Sequence, residues 1–581
     1  TRPPSQCNNG PVARSNGPLC FLYTGVLRRE IRNTLIVSAS CFEQKRRYFR
    51  AMAYKRGFRP YLTYVKVNLF RIFLFNLFLC YIFTYYICRI KTDLQKHFIS
   101  IHIMNRLVLS FMALVAAMAV SARDYYVSPS GSDTGTGSAD KPLATLRKAV
   151  EKAVAGDIIY LRGGTYRPAE DEIMGWQEGG LYACVYNLTR SGTAARPITI
   201  AGYPGEKAVI DLSGIRPEGK RVSGFYVKGD YWRLRDFDIT GIQVTITGHT
   251  QSENISMRGG SNCIIERVNI HDGMGIGIYF TRGSNNLVLN CDAYNNYDPV
   301  SENGKGGNCD GFGFHLNKAS YTGNVIRGCR AWRNSDDGID LISNLAPVVV
   351  DSCWAWENGY DANRVSRGDG TGIKAGGYGM GTMKADVDAP RNVIRNSICW
   401  ANKANGFYAN HHLGGNDWHN NSAYQNKYNF YMVNRKAWDE AVDVDGYDHV
   451  LTRNVSYSGR RGDYGTIDVE RCTLTDNTFL PAVPLRPTDF ESLDGSELLR
   501  ERKADGSLPD ISFLRLKPSS AAYGMMAGWQ FDHDDITNGI RRVATDKRPR
   551  SSKRAYDLRG IPATAGTHGL RVVEGRKYIG R

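Results

Sequence analysis

Asn290-Cys-Asp-Ala-Tyr-Asn-Asn296, Gly328-Cys-Arg-Ala-Trp-Arg-Asn334 and Ser352-Cys-Trp-Ala-Trp-Glu-Asn358 are three copies of one short pattern. Two more follow, Asn396-Ser-Ile-Cys-Trp-Ala-Asn402 and Asn420-Asn-Ser-Ala-Tyr-Gln-Asn426, and an earlier one closes on Ile270-His-Asp272. The closing positions 272, 296, 334, 358, 402 and 426 are spaced by 24, 38, 24, 44 and 24 residues. A 24-residue unit, with 14 and 20 residues inserted in two of its copies, is one coil of a β-solenoid. Strand residues alternate in and out, so Cys291, Cys329 and Cys353 are expected to stack inside as small core residues rather than form disulfides. The closing Asn residues are expected to form a ladder in which each amide bonds the coil above and below.

Outward from the repeats, the chain has a recognisable opening. Leu143, Leu146, Ala149, Val150, Ala153 and Val154 have helical spacing. They predict a helix that caps the open end of the solenoid, where strand edges would otherwise be exposed. The composition agrees with an all-β reading: 61 glycines and 33 tyrosines in 581 residues, with 42% apolar residues. Coils are expected from about 157, the whole domain spanning 123–485. Residues 486–520 are expected to pack back along the helix, 521–554 to form a basic linker, and 555–581 to resemble the C-terminal sorting tails of secreted bacterial proteins.

The formal charge of +17 points to nucleic acid only until the chain is divided. Residues 1–122 hold 18 Lys+Arg against 3 Asp+Glu, and the other 459 hold 56 against 54. A nearly neutral body removes the main support for nucleic-acid binding. Met104-Asn-Arg106, the apolar run Leu107–Val120 and Val120-Ser-Ala122 have the layout of a secretory signal peptide. Residues 104–122 are therefore read as a signal peptide, 1–103 as a non-native leader and Arg123 as the first mature residue. The competing reading is a membrane span at Leu69–Ile90, interrupted by Arg71. The mature protein is expected to be secreted or on the cell surface, without a stable membrane span, and monomeric.

A second repeated strand follows the Asn turn: Gly275-Ile-Gly-Ile278, Gly311-Phe-Gly-Phe314, Gly338-Ile-Asp-Leu341, Gly372-Ile-Lys-Ala375, Gly406-Phe-Tyr-Ala409 and Asn429-Phe-Tyr-Met432. Aligned, the third position faces out and reads Gly277, Gly313, Asp340, Lys374, Tyr408, Tyr431. The residue before the motif is Asp310 in one copy and Asp337 in the next. Equivalent positions on successive coils lie about 4.8 Å apart, so Asp310, Asp336, Asp337 and Asp340 converge, with Lys374 one coil beyond Asp340. Four carboxylates this close require a counter-charge. An all-oxygen set suits Ca²⁺, and without His or Cys in the aligned row zinc is disfavoured. The bland alternatives are a solvated Asp-rich turn and a cross-coil ion pair of Lys374 with Asp340, worth little at a surface.

The pairing suggests a chemistry. A uronic acid has an acidic proton beside its carboxylate. A bound cation would stabilise the enolate-like intermediate, and Lys374 would remove the proton so that the glycosidic oxygen leaves by β-elimination. A neighbouring Ca²⁺ is expected to depress the lysine pKa.

The opening segment, the repeats, Cys309-Asp310-Gly, Ser335-Asp-Asp-Gly-Ile-Asp340 and Gly372-Ile-Lys374 resemble the family 9 polysaccharide lyases, pectate lyases of the right-handed parallel β-helix class. The resemblance covers about residues 124–520. It implies Ca²⁺ on Asp310, Asp336, Asp337 and Asp340, Lys374 as base, and an acidic plant cell-wall polysaccharide, polygalacturonate (pectate), as substrate. Some relatives cut rhamnogalacturonan, so the polymer stays open. Tyr408, His411-His412 and Tyr431 are candidate sugar contacts, and Lys384 and Arg391 are candidate uronate ligands or solvated loop charges. A glycoside hydrolase acting through paired carboxylates and a non-catalytic carbohydrate-binding solenoid are the competing functions. The Gly-His-Gly and Arg-Ile-Lys signatures of the polygalacturonases are absent.

Overall fold

A computed structural model describes residues 122–377 and 389–531, the single residue Ile82, and the backbone of two strands, Gly569–Val573 and Arg576–Gly580. Nearly all of the expected leader and of the signal peptide, together with Lys384 and residues 532–554, lies outside the described residues. No described helix is long and apolar enough to cross a membrane.

Strands of two to nine residues wind into three stacks, each strand pairing in parallel with its equivalent on the next coil. The first stack runs from Asp124–Val127 through Ile158–Leu161 and Ile198–Gly202 to Thr473–Thr475. The second runs from Gly164–Tyr166 through Ala208–Asp211 to Val455–Tyr457. Two long strands, Trp232–Thr240 and Ile264–His271, bend through both and join them. The third is an 11-stranded sheet ending at Gly462–Gly465, with one antiparallel strand, Gly175–Gln177, at its other edge. The chain is thus an all-β parallel β-helix.

The register matches the repeat. Ala331 pairs with Ala355, Ala355 with Cys399 and Cys399 with Ala423. The Asn ladder forms through Nδ2-to-Oδ1 bonds from Asn296 to Asn334 (2.9 Å), Asn334 to Asn358 (3.2 Å), Asn358 to Asn402 (3.0 Å) and Asn402 to Asn426 (2.9 Å). Every ladder residue is fully buried, so each amide is satisfied by its neighbours rather than by water. Cys291, Cys329 and Cys353 are buried, and all eight described cysteines are free. The inward row of the third sheet, Phe312, Phe314, Ile339, Leu341, Ile373, Ala375, Phe407 and Ala409, is completely buried.

Two alignments need correction. His271 pairs with Tyr294, so the ladder position of Asn296 faces Gly273, whose N–H it accepts, and not Asp272. Tyr279, not Gly277, pairs with Gly313. That slip of two residues conserves which side chains face out, so the sequence pattern could not reveal it.

The capping helix is Leu146–Lys152. Thr145 caps it by accepting the Lys148 N–H at 3.2 Å, and Leu146, Ala149 and Val150 are buried. It stops at Ala153, which is extended, so Val154 is 42% exposed rather than packed. Beyond the last coil, the segment from Pro487 covers an outer face of stacked aromatics. Tyr294, Trp332 and Trp356 lie ring on ring at 4.3 and 4.7 Å, and with Phe490, Leu498, Phe513 and Leu516 they form a second apolar core. This packing continues past residue 520. Ala522 and Ala527 are buried, and Trp529 meets Trp354 edge-on at 6.5 Å while donating to the Phe513 carbonyl. The first eleven residues of the expected linker therefore belong to the packed segment, because their apolar side chains complete it.

Candidate active site

Six successive strands of the third sheet build the site: Ile276–Arg282, Phe312–Phe314, Ile339–Asp340, Ile373–Lys374, Phe407–Tyr408 and Tyr428–Tyr431. Their outward row reads Tyr279, Gly313, Asp340, Lys374, Tyr408, Tyr431. The two long coils supply the surrounding loops, residues 297–309 before Asp310 and 359–371 before Lys374.

Lys374 is buried, and its Nζ lies 2.5 Å from Asp337 Oδ2 and 3.1 Å from Asp340 Oδ2. Asp310, Asp336 and Asp337 bring one oxygen each within 4.8 Å of one another. Backbone N–H groups aim these carboxylates. Asp336 accepts from Asn308 (2.8 Å) and Asp369 (2.9 Å), Asp337 from Thr371 (2.6 Å), and Asp310 from Asp337 (3.1 Å). Asp340 stands outside this group. It accepts from the Ile342 N–H at 2.7 Å and faces Lys374 on one side and His315 on the other. Beside Asp336 opens a cleft of about 690 Å³ lined by Glu302, Lys305, Asn308, Arg367, Asp369 and Lys403.

Burial, then the neighbouring Asp336, Asp340 and Asp337, push the Asp310 carboxyl well above the usual range. Burial raises Asp336 and takes Asp337 to about 7 despite Lys374. Burial acts against Asp340 too, but Lys374 and His315 outweigh it and hold that carboxyl low. Burial disfavours the ammonium of Lys374, yet Asp337, Asp340, Asp336 and Asp310 together raise its pKa well above the ordinary value. Within these residues the lysine is thus shifted upward, opposite to the depression expected beside a cation. Three carboxylates that resist ionising together, Asp310 and Asp337 buried and Asp336 half-buried, are an all-oxygen donor set suited to a hard divalent cation.

Of the expected sugar contacts, Tyr408 is next to Lys374 in the row, with its ring 5.7 Å from Tyr431 and 6.2 Å from His411. His411 pairs with Asp443 at 3.1 Å. His412 is a core residue instead: it is fully buried, donates from Nε2 to the Pro390 carbonyl at 2.6 Å, and burial lowers it to about 4. Arg391 is held by Asp417 and by the Gly414 and Asp448 carbonyls on another stack. The residues the alignment missed are His315 and Tyr279, whose Nδ1 and OH are 3.0 Å apart. Parity alone places His315, two residues past Gly313, on the outward face; Tyr279 was hidden by the two-residue slip.

The family described as "Pel9A-like, right handed beta helix region" matches residues 125–450. Pectate lyase L of Dickeya chrysanthemi is 32% identical over 404 residues, 68% of this chain and 84% of its own length. Among solved structures, a rhamnogalacturonan lyase is 43% identical with a TM-score of 0.67, the match covering 70% of this chain and all of that one. Pectate lyase Pel9A is 30% identical with a TM-score of 0.54, covering 69% and 91%.

Proposed function

The chain belongs to the Pel9A-like family of right-handed β-helices and is a polysaccharide lyase, and on that premise we propose that it cleaves a galacturonate-containing pectic polymer by β-elimination with Lys374 as the base. The observation that carries this is the buried Lys374 amine held between Asp337 and Asp340, beside the converging carboxylates of Asp310, Asp336 and Asp337. One amine leaves the charge of these converging carboxylates largely unbalanced, which a simple structural ion pair would not require.

Asp310, Asp336 and Asp337 would hold Ca²⁺; Asp340, expected as a fourth ligand, stands outside that group and faces Lys374. When bound, the ion would polarise the substrate carboxylate and offset the carboxylate charge that raises the Lys374 pKa. The residues do the rest. Asp337 and Asp340 orient the Lys374 amine over the outward row, and Lys374 takes the proton from the carbon beside the uronate carboxyl. Tyr408, Tyr431 and His411 offer aromatic surface to the neighbouring sugars. Export through residues 104–122 is part of the same proposal, and mature protein starting at Arg123 would support it.

A second reading, rhamnogalacturonan as the polymer, is favoured by the 43% identity to a solved rhamnogalacturonan lyase. One assay addresses both. The protein is incubated with polygalacturonate and with rhamnogalacturonan, with Ca²⁺ or chelator, and absorbance of the unsaturated uronide is followed. Elimination creates a double bond, hydrolysis only reducing ends, and a binding module neither. Full activity of Lys374→Ala would refute the base assignment.

A further inference from the structure

We propose that His315 donates the hydrogen bond that receives the departing glycosidic oxygen. This rests on the reading of Lys374 as the base, and the test below separates the two. His315 follows the strand Phe312–Phe314, one coil before Asp340, while Lys374 lies one coil after it. Its Nε2 is 3.7 Å from Asp340 Oδ2, beyond hydrogen-bond distance, and the same oxygen is 3.1 Å from Lys374 Nζ. The imidazole and the amine therefore flank one carboxylate oxygen from opposite coils.

The ring is built into this position. Tyr279 OH meets Nδ1 at 3.0 Å, and the two rings stand edge to face at 4.8 Å. In the tautomer that the proposal requires, the Tyr279 hydroxyl donates to Nδ1 and the imidazole hydrogen sits on Nε2. That atom has no hydrogen-bond partner, although the side chain is only 19% exposed. Tyr279 is itself fixed. The Arg258 guanidinium lies 5.2 Å from its ring centre, and Arg258 is buried against Glu253. Gly313 allows the arrangement, since a Cβ there would meet the Tyr279 ring at 2.8 Å. An unused N–H donor is thus held at the reacting row by three layers of packing.

The chemistry needs such a group. Lys374 takes the proton from the carbon beside the carboxylate. The C–H electron pair becomes the ring double bond, and the bond to the glycosidic oxygen breaks with its pair moving to oxygen. In a galacturonate the proton and that oxygen lie on opposite sides of the ring, so base and donor have to approach from opposite sides. Both nitrogens lie within 4 Å of the same Asp340 oxygen and are therefore less than 7 Å apart, so a sugar laid across Asp340 meets the amine at one end of its reacting C–C–O unit and the imidazole at the other. The Nε2–H stabilises charge as it develops on the leaving oxygen, and water delivers the proton that completes the new hydroxyl.

The test varies the leaving group. His315→Ala, His315→Gln and Lys374→Ala are assayed on the polymer and on a galacturonate carrying nitrophenol at the leaving oxygen, with thermal melts to confirm folding. His315→Ala is expected to lower kcat on the polymer by on the order of 10²–10³-fold but on the activated substrate by at most about threefold, because nitrophenolate leaves without help. His315→Gln, which keeps an N–H donor, is expected to recover part of the polymer rate. Equal losses on both substrates, or a polymer rate within about threefold of wild type, would overturn the proposal. Elimination by Lys374→Ala would instead count against the base, however the His315 variants behave.

Discussion

His449 gives the stability of the β-helix a pH dependence that can be worked out from its contacts. It is fully buried, and its Nδ1 accepts from the Asn416 N–H at 2.9 Å and from Trp418 Nε1 at 3.4 Å, while Nε2 donates to Asn434 Oδ1 at 2.8 Å. Protonating Nδ1 would turn it against two donors. Burial first, then His412 and Arg391, push the imidazole down to about 3, against about 6.5 in the unfolded chain. A folded pKa below the unfolded one means that stability is complete above pH 6.5 and declines as pH falls toward the folded value. Between pH 7 and pH 5 the unfolded state takes up nearly a full proton that the folded state refuses, which costs about 2 kcal/mol. Asp337, raised to about 7, shifts stability the other way, so wild type alone does not isolate the effect. His449→Gln does, because the Asp contribution cancels between the two proteins. Urea titrations at both pH values, followed by tryptophan fluorescence, should show wild type ahead at pH 7 and its advantage smaller by about 2 kcal/mol at pH 5. An advantage that stays constant within about 0.5 kcal/mol would refute the reasoning.

Further expectations concern other parts of the molecule. Asn358→Ala removes an amide that accepts the Asn334 N–H and donates to the Ala331 carbonyl. It should cost about 2–5 kcal/mol in urea titration, since buried groups are left without partners. Gly495→Ala places a methyl 2.3 Å from the Trp400 ring and should loosen the segment after Pro487, read as faster limited proteolysis there and a loss of about 1–3 kcal/mol. Ca²⁺ at a hundredfold over its Kd should stabilise the protein by about 2.7 kcal/mol, and Asp337→Asn should abolish most of that shift in a melt with and without chelator.

The sequence contains the winding of this protein but not all of its registers. The 24-residue spacing and the closing Asn residues are periodic facts, and they translate directly into coils and a buried ladder, because an amide on one coil is satisfied only by its equivalent on the next. The stacking of Asp340 and Lys374 was legible for the same reason: both occupy the third position of an aligned motif. Tyr279 was not, because strand pairing one step of two residues away leaves every side chain on the same face. The extent of the C-terminal segment was also hidden. Residues 521–531 are irregular, and their burial is decided by the aromatic face of Trp354 and its neighbours.

Within the site, repeat alignment alone puts these carboxylates and the amine on one face. Tertiary structure alone decided how they divide. Asp310, Asp336 and Asp337 turn toward one another, the last two guided by N–H groups from the inserted loops, whereas Asp340 turns toward Lys374 and His315. Periodicity constrains Cα positions along the helix, but side-chain direction depends on hydrogen bonds from non-repeating loops, and those exist only once the chain has folded.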